Sequence, residues 1–221
     1  MKKLKDLDSH EQSVQKLEFC LFHIDNLNNK EVLDMNDQIM INLLLNVFKS
    51  SMEYSIQYLR QFNNVSKKRT SYIPNKKEIN NTEEFYELLK HRFGVEDNKG
   101  REIFDSLFST EIYTQFNSMQ NKEKHAQINT HTKTITKSIG YTVQNGITIE
   151  NVDIIGNEDN IDSNILINDE KINYDQVEGY SYDEIVYFEY NNKEVFEFLY
   201  EVFELVNNFV VDIKEYVDSK E

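Results

Sequence analysis

The residues best suited to acid–base chemistry lie together in one hexapeptide near the middle of the chain, Gln120-Asn121-Lys122-Glu123-Lys124-His125. If the helix predicted for this region continues to its end, Asn117, Asn121 and His125 recur at four-residue spacing on one face. An imidazole changes charge near neutral pH, and a lysine can balance the charge of a phosphate. The pattern therefore predicts acid–base catalysis at a phosphodiester, with His125, Asn121 and Gln120 as candidate catalytic residues. A solvated helix end, in which His125 hydrogen-bonds the last carbonyls, accounts for the same residues without catalysis.

The hexapeptide resembles the Arg-Asn-x-x-x-His signature of HEPN domains, small helical bundles common in prokaryotic ribonuclease toxins and phage defence. In this resemblance Asn121 matches the polar position and His125 the catalytic histidine, whereas Gln120 stands where the family has arginine. HEPN domains typically form homodimers, and active members cleave RNA without a metal in a cleft between the protomers. Glutamine carries no positive charge for a scissile phosphate. The resemblance therefore implies a non-catalytic member that acts through a protein partner in a defence or toxin–antitoxin system.

Three function classes are compatible with this motif and with the acidic C-terminal part of the chain, and each predicts a different partner. The first is a non-catalytic protein that forms a homodimer and binds a dedicated protein partner. The second is a metal-independent ribonuclease centred on His125, for which RNA is the substrate. The third is an acidic inhibitor whose C-terminal part mimics nucleic acid and occupies a basic site on another protein. We favour the first class, and none of the three calls for a metal or a cofactor.

The charged residues are distributed unevenly along the chain. The net charge is −15, and after Ile135 there are five basic residues against twenty acidic residues. Such an excess repels nucleic acid and favours basic partners, although a solvated surface is the simpler explanation. The single cysteine, Cys20, excludes an intramolecular disulfide and indicates a reducing compartment. The longest apolar stretch, 39–48, is too short to span a membrane, so we predict a cytoplasmic protein without membrane contact.

Apolar residues at helical spacing predict a helical first half. Ser9 with Gln12 has the spacing of a capping box at the start of a helix over 9–27. A longer helix follows to about residue 62, with Ile39 and Leu43 in its apolar stripe. Three shorter helices come after a basic loop over 63–80; they lie at 82–93, around 103–108, and from 110 into the hexapeptide.

The second half of the chain changes to the alternation typical of strands. Residues 134–144 alternate in polarity, and Asn145-Gly146 then supplies the two positive-φ positions of a type I′ hairpin turn before 147–149. The remaining elements are a second small hairpin, a further strand and a terminal helix, at 165–174, 184–190 and 192–217.

The terminal helix decides the predicted architecture. Its apolar face is too large to be left exposed, and a small sheet offers only one face to cover it. The economical arrangement returns this helix to the N-terminal helices. We therefore predict an α+β fold and a single domain over 1–221. Five to six helices, from 1–130 and 192–218, form a bundle, and a small antiparallel β insertion, 132–190, precedes the last helix.

Overall fold

The computed structural model describes residues 3–66, 72–74, 76, 79, 81–125, 127–161, 166–167 and 170–220. Within these residues the chain forms a bundle of six α-helices, with a small antiparallel sheet before the last helix. This architecture confirms the predicted α+β fold class. The helices are α1 (Ser9–Asn28), α2 (Met35–Phe62), α3 (Thr82–Phe93), α4 (Asn98–Ser109), α5 (Glu111–His125) and α6 (Val195–Asp218). The strands are β1 (His131–Gln144), β2 (Ile147–Gly156), β3 (Leu166–Ile167), β4 (Glu170–Lys171) and β5 (Ser181–Phe188).

The chain divides into two compact units. The helical unit comprises Met1–Asn28, Met35–Ile128 and Phe196–Glu221, and the β unit comprises Asn29–Asp34 and Asn129–Val195. Much of the basic loop predicted over 63–80 lies outside the described residues. None of the helices in the described ranges combines the length and hydropathy that a bilayer-spanning segment requires.

The first helix begins with a capping box that is displaced by one residue from the predicted one. The backbone N–H of Glu11 donates to Asp8 Oδ1 at 2.8 Å, and the backbone N–H of Asp8 donates to Glu11 Oε2 at 3.1 Å. This reciprocal pair takes the place of the predicted pair, Ser9 and Gln12. A carboxylate is the stronger acceptor for the free N–H groups, and it also suits the positive end of the helix dipole.

Two small residues bring α1 and α2 close together. Ser13 and Ser51 are fully buried, and each hydroxyl lies within hydrogen-bond distance of the other residue's backbone carbonyl, at 2.8 and 2.9 Å. Because each hydroxyl is satisfied by the facing helix, the pair costs little desolvation and fixes the axial register of the two helices.

The apolar stripe predicted for the N-terminal half of α2 is wrong at two positions. Ile39 and Leu43 are 41% and 45% exposed, whereas Ile41 and Leu45 are fully buried. This half of α2 carries two adjacent apolar stripes, and periodicity alone does not distinguish which one faces the core. Contacts with both α1 and α5 select the stripe that contains Ile41 and Leu45.

One carboxylate joins the start of α4 to the end of α6. Asp97 caps α4 by accepting from the Gly100 N–H at 2.9 Å, and its other oxygen accepts from Tyr216 at 2.9 Å and Lys220 at 2.8 Å. A Cβ on Gly100 would lie 3.0 Å from the Tyr216 ring, so glycine allows this close approach. Burial tends to raise the pKa of Asp97, but the three hydrogen bonds outweigh it and hold the pKa at about 2.

The β unit has its own apolar core under a three-stranded sheet of order β2-β1-β5, with both pairings antiparallel. The predicted hairpin turn is confirmed, with φ of 52° at Asn145 and 78° at Gly146. Isoleucines dominate the core: Ile135, Ile139, Ile154, Ile161, Ile167 and Ile172. In the same sheet, Lys133 Nζ lies 2.9 Å from the buried carboxylate of Glu184 and 3.2 Å from the exposed carboxylate of Glu158. The sheet therefore buries the charged amine of Lys133, and pairing with a carboxylate offsets the cost of removing that charge from water.

Replacing Asp97 by Asn should remove part of the acid sensitivity of folding. A carboxyl with a folded pKa of about 2 stabilises the fold above its unfolded pKa of about 3.9, and this stabilisation is lost as the pH falls towards 2. Asp97→Asn should therefore be less stable than wild type at pH 5, and the difference should shrink between pH 4 and 2. Urea unfolding at each pH measures it. Glu96→Gln, a neighbouring and more exposed change, is the matched control; an equal effect in this variant would contradict the assignment.

Candidate functional site

The six residues of the candidate motif form the last turns of α5, and the helix turns them in different directions. Gln120 is buried, with 4% of its surface exposed, whereas Asn121 and His125 are both exposed. The predicted catalytic residues are therefore not brought together on one surface. Gln120 faces the core because it follows the apolar side of α5, on which Phe116 and Met119 are fully buried.

The amide of Gln120 is engaged by a residue of α2. Gln120 Nε2 donates to Asn46 Oδ1 at 2.9 Å, and the Asn46 amide nitrogen donates in turn to the carboxylate of Glu123. Asn46 thus connects two positions of the hexapeptide through its two amide atoms. A buried amide that is hydrogen-bonded across a helix interface stabilises one register of the two helices.

A lysine of α2 extends this group of polar residues. Lys49 Nζ donates to Asn117 Oδ1 at 2.8 Å and lies 5.5 Å from the centre of the Tyr113 ring. Burial lowers the pKa of Lys49 to about 8; the charge of Glu53 raises it and that of Lys124 lowers it further. We refer to Asn46, Lys49, Asn117, Gln120 and Glu123 as the α2–α5 polar cluster.

The α2–α5 polar cluster has one group that can exchange a proton near physiological pH, the amine of Lys49. This amine is not a free base, because as an ammonium it donates to the amide oxygen of Asn117 and lies near the Tyr113 ring. The other members are amides and one carboxylate, each bonded across the helix interface. The arrangement is therefore better suited to fixing α2 against α5 than to binding a substrate.

Sequence reasoning finds the α5 members of this cluster but misses Asn46 and Lys49. These two residues precede their partners by 68 to 77 positions, so no local pattern connects them. One signal was present: Asn46 interrupts the longest apolar stretch of the chain, 39–48. A polar residue inside such a stretch is often satisfied by a partner from a distant element.

Among the residues that the structure describes, neither the cysteine thiol nor a metal-ligating group offers an alternative centre. Cys20 is fully buried, and burial raises the pKa of its thiol to about 12, so it is not a thiolate nucleophile. Within the described ranges, no group of three or more His, Cys, Asp or Glu side chains is placed to hold a metal ion.

The outer surface of the α1–α2 pair carries a second feature of the helical unit. Four large apolar side chains are substantially exposed there: Phe19 at 46%, Phe22 at 63%, Ile39 at 41% and Leu43 at 45%. A groove of about 440 Å³ lies on the same two helices, lined by Gln12, Gln15, Lys16, Phe19, Val47 and Tyr54. We refer to Phe19, Phe22, Ile39, Leu43 and Val47 as the α1–α2 apolar face. Where exposed apolar side chains form a patch, the patch marks an interaction site in many proteins.

Comparisons of this chain with protein-family models, with curated proteins and with solved structures found no match.

Replacing Gln120 by Ala should destabilise the protein by about 2 kcal/mol, because it removes a buried side chain and leaves the Asn46 oxygen without its donor. Asn121→Ala is the matched control, since it removes an amide from the next, exposed position. That change should alter stability by no more than about 0.5 kcal/mol. Urea unfolding followed by circular dichroism measures both variants, and equal effects would show that Gln120 has no structural role.

Proposed function

We propose that this protein acts by protein–protein contacts, as a non-catalytic HEPN-like member of a prokaryotic or phage defence or counter-defence system. The observation that carries the proposal is the α1–α2 apolar face, with its four large and substantially exposed side chains. Fully burying one such side chain contributes about 1.5–3 kcal/mol, so a partner that covers the face gains a substantial part of its affinity there.

The position of Gln120 supports a non-catalytic role. In the HEPN domains that the motif resembles, this position is an arginine that faces the phosphate. In this chain the residue is neutral, buried and hydrogen-bonded to Asn46. His125 and Asn121 are exposed without a cation at the equivalent of the arginine position. The chemistry that the motif would need is therefore incomplete at its first residue.

We further propose that the α1–α2 apolar face joins two copies of the chain in a homodimer. An antiparallel helix pair with apolar residues along both helices can meet a copy of itself about a two-fold axis, so that the same residues are buried on each side. The face combines aromatic residues of α1 with aliphatic residues of α2, which supplies large and small side chains for interdigitation.

The homodimer is tested by placing a charge in this face. Phe22→Asp and Leu43→Asp should each convert a dimer into a monomer in sedimentation velocity, because the new carboxylate would be buried without a partner. Val211→Asp is the matched control, since Val211 is 41% exposed on α6 and does not belong to the face. A monomeric wild-type protein, or dimers that persist in both variants, would contradict the assignment.

The ribonuclease alternative is supported by the exposure of His125 and Asn121 at the end of α5. It is tested by induced expression of the wild type and of His125→Ala in bacteria, scoring growth and the integrity of total RNA. With a non-catalytic function, both proteins should permit normal growth and leave the RNA intact. Growth arrest with RNA cleavage by the wild type alone would establish the ribonuclease and overturn the non-catalytic proposal.

A further inference from the structure

A groove between α4 and α6 is separate from the α1–α2 apolar face. It encloses about 240 Å³, and its lining includes Ile103, Ser106 and Leu107 from α4 and Leu205, Phe209 and Asp212 from α6. Leu107 and Phe209 form an apolar floor, each with only 3% of its surface exposed. The Phe209 ring is held by an edge-to-face contact with Phe104, at 5.7 Å between ring centres. The floor is therefore preformed.

Carboxylates border this groove along α6. Asp212 is part of the lining, and Glu215 lies three residues further along the same side of α6; both side chains are exposed. The single lysine in the sequence of α6, Lys214, is paired with Asp218. Burial raises the pKa of Asp212, and the charge of Glu215 raises it further, as expected where carboxylates lie close together. The rim of the groove is thus negatively charged.

We propose that the α4–α6 groove binds a basic amphipathic helix of a protein partner. A narrow apolar floor between two helices accepts side chains that recur at three- and four-residue spacing, which is the pattern of a helix that binds in a groove. The carboxylates on the rim would then face lysine or arginine side chains on the flanks of that helix. Charge complementarity would give specificity for the partner, and apolar contact would contribute affinity. This inference deepens the proposed function, on which it rests, by assigning the partner's chemistry.

Binding is tested with synthetic peptides and the full-length chain. The probe is a fluorescent amphipathic peptide with leucine on one face and lysine on the other; a second peptide with glutamate in place of lysine is the control. Fluorescence anisotropy should show saturable binding of the lysine peptide, weakened by added salt, and no binding of the glutamate peptide. Equal binding of the two peptides, or no binding of either, would overturn the proposal.

Two sets of variants locate the binding site. Asp212→Asn with Glu215→Gln should weaken binding of the lysine peptide about fivefold, since each rim charge contributes modestly. The matched control is Glu83→Gln with Glu87→Gln, which removes two exposed carboxylates from α3 and should change affinity less than about twofold. Equal weakening by both pairs would show a general charge effect and would reject the groove.

Ser106→Trp tests the apolar part of the groove, because an indole placed there should occupy the floor and weaken binding more than about tenfold. Thermal melting shows whether this variant is folded. If it is not, the carboxylate variants decide whether the peptide binds in the α4–α6 groove. The dimer measurement with Phe22→Asp is independent of these residues. Failure of the intact wild-type dimer to bind the lysine peptide would therefore reject this inference and leave the proposed function standing.

Discussion

The helical unit depends on the burial of one face of its last helix. α6 buries a long apolar stripe: Phe198, Leu199, Val202, Val206, Phe209, Val210, Ile213, Tyr216 and Val217. None of the short helices could cover such a stripe alone, so α6 has to lie against several of them at once. Its contacts include the Phe104 ring of α4 and the Asp97 cap, and Tyr200 donates to Asp25 of α1 at 2.6 Å.

Once the core is satisfied, the polar and apolar residues that remain on the helix surfaces acquire distinct roles. The α2–α5 polar cluster uses amides and a lysine where an all-apolar contact would leave the register of the two helices less defined. The α1–α2 apolar face lies on the side of the pair opposite to its buried side chains, such as Leu17 and Ile24. The same helices thus contribute to the core on one side and offer a binding surface on the other.

Charge has different consequences in the two units. In the β unit, Lys133 is almost completely buried and is tolerated because Glu184 lies beside it. In the helical unit, the carboxylates of α6 remain at the surface, whereas Asp97 and Asp105 each accept hydrogen bonds from several donors of other segments. The acidic composition therefore describes mainly the surface, which is why it bears on partners more than on architecture.

The sequence by itself determined the class of the fold and several of its local boundaries. Asn145-Gly146 and Gly94 both adopt the positive φ that their residue types favour, and such choices depend only on neighbouring residues. The alternation of 134–144 and the apolar stripe of the terminal helix likewise indicate one strand and one helix, because each period is a property of the local backbone.

Only the tertiary structure decided which face of each helix is buried and which polar residues meet. Ile39 and Leu43 continue an apolar stripe in the sequence, yet they remain exposed because α1 and α5 cover the neighbouring stripe. In the sequence, Gln120 belongs to a candidate catalytic motif. In the structure, its amide donates to Asn46, which lies 74 positions earlier in the chain. Contacts of this kind depend on how distant helices are oriented about their axes. That orientation is set by the total burial of the core and is not encoded in any single segment.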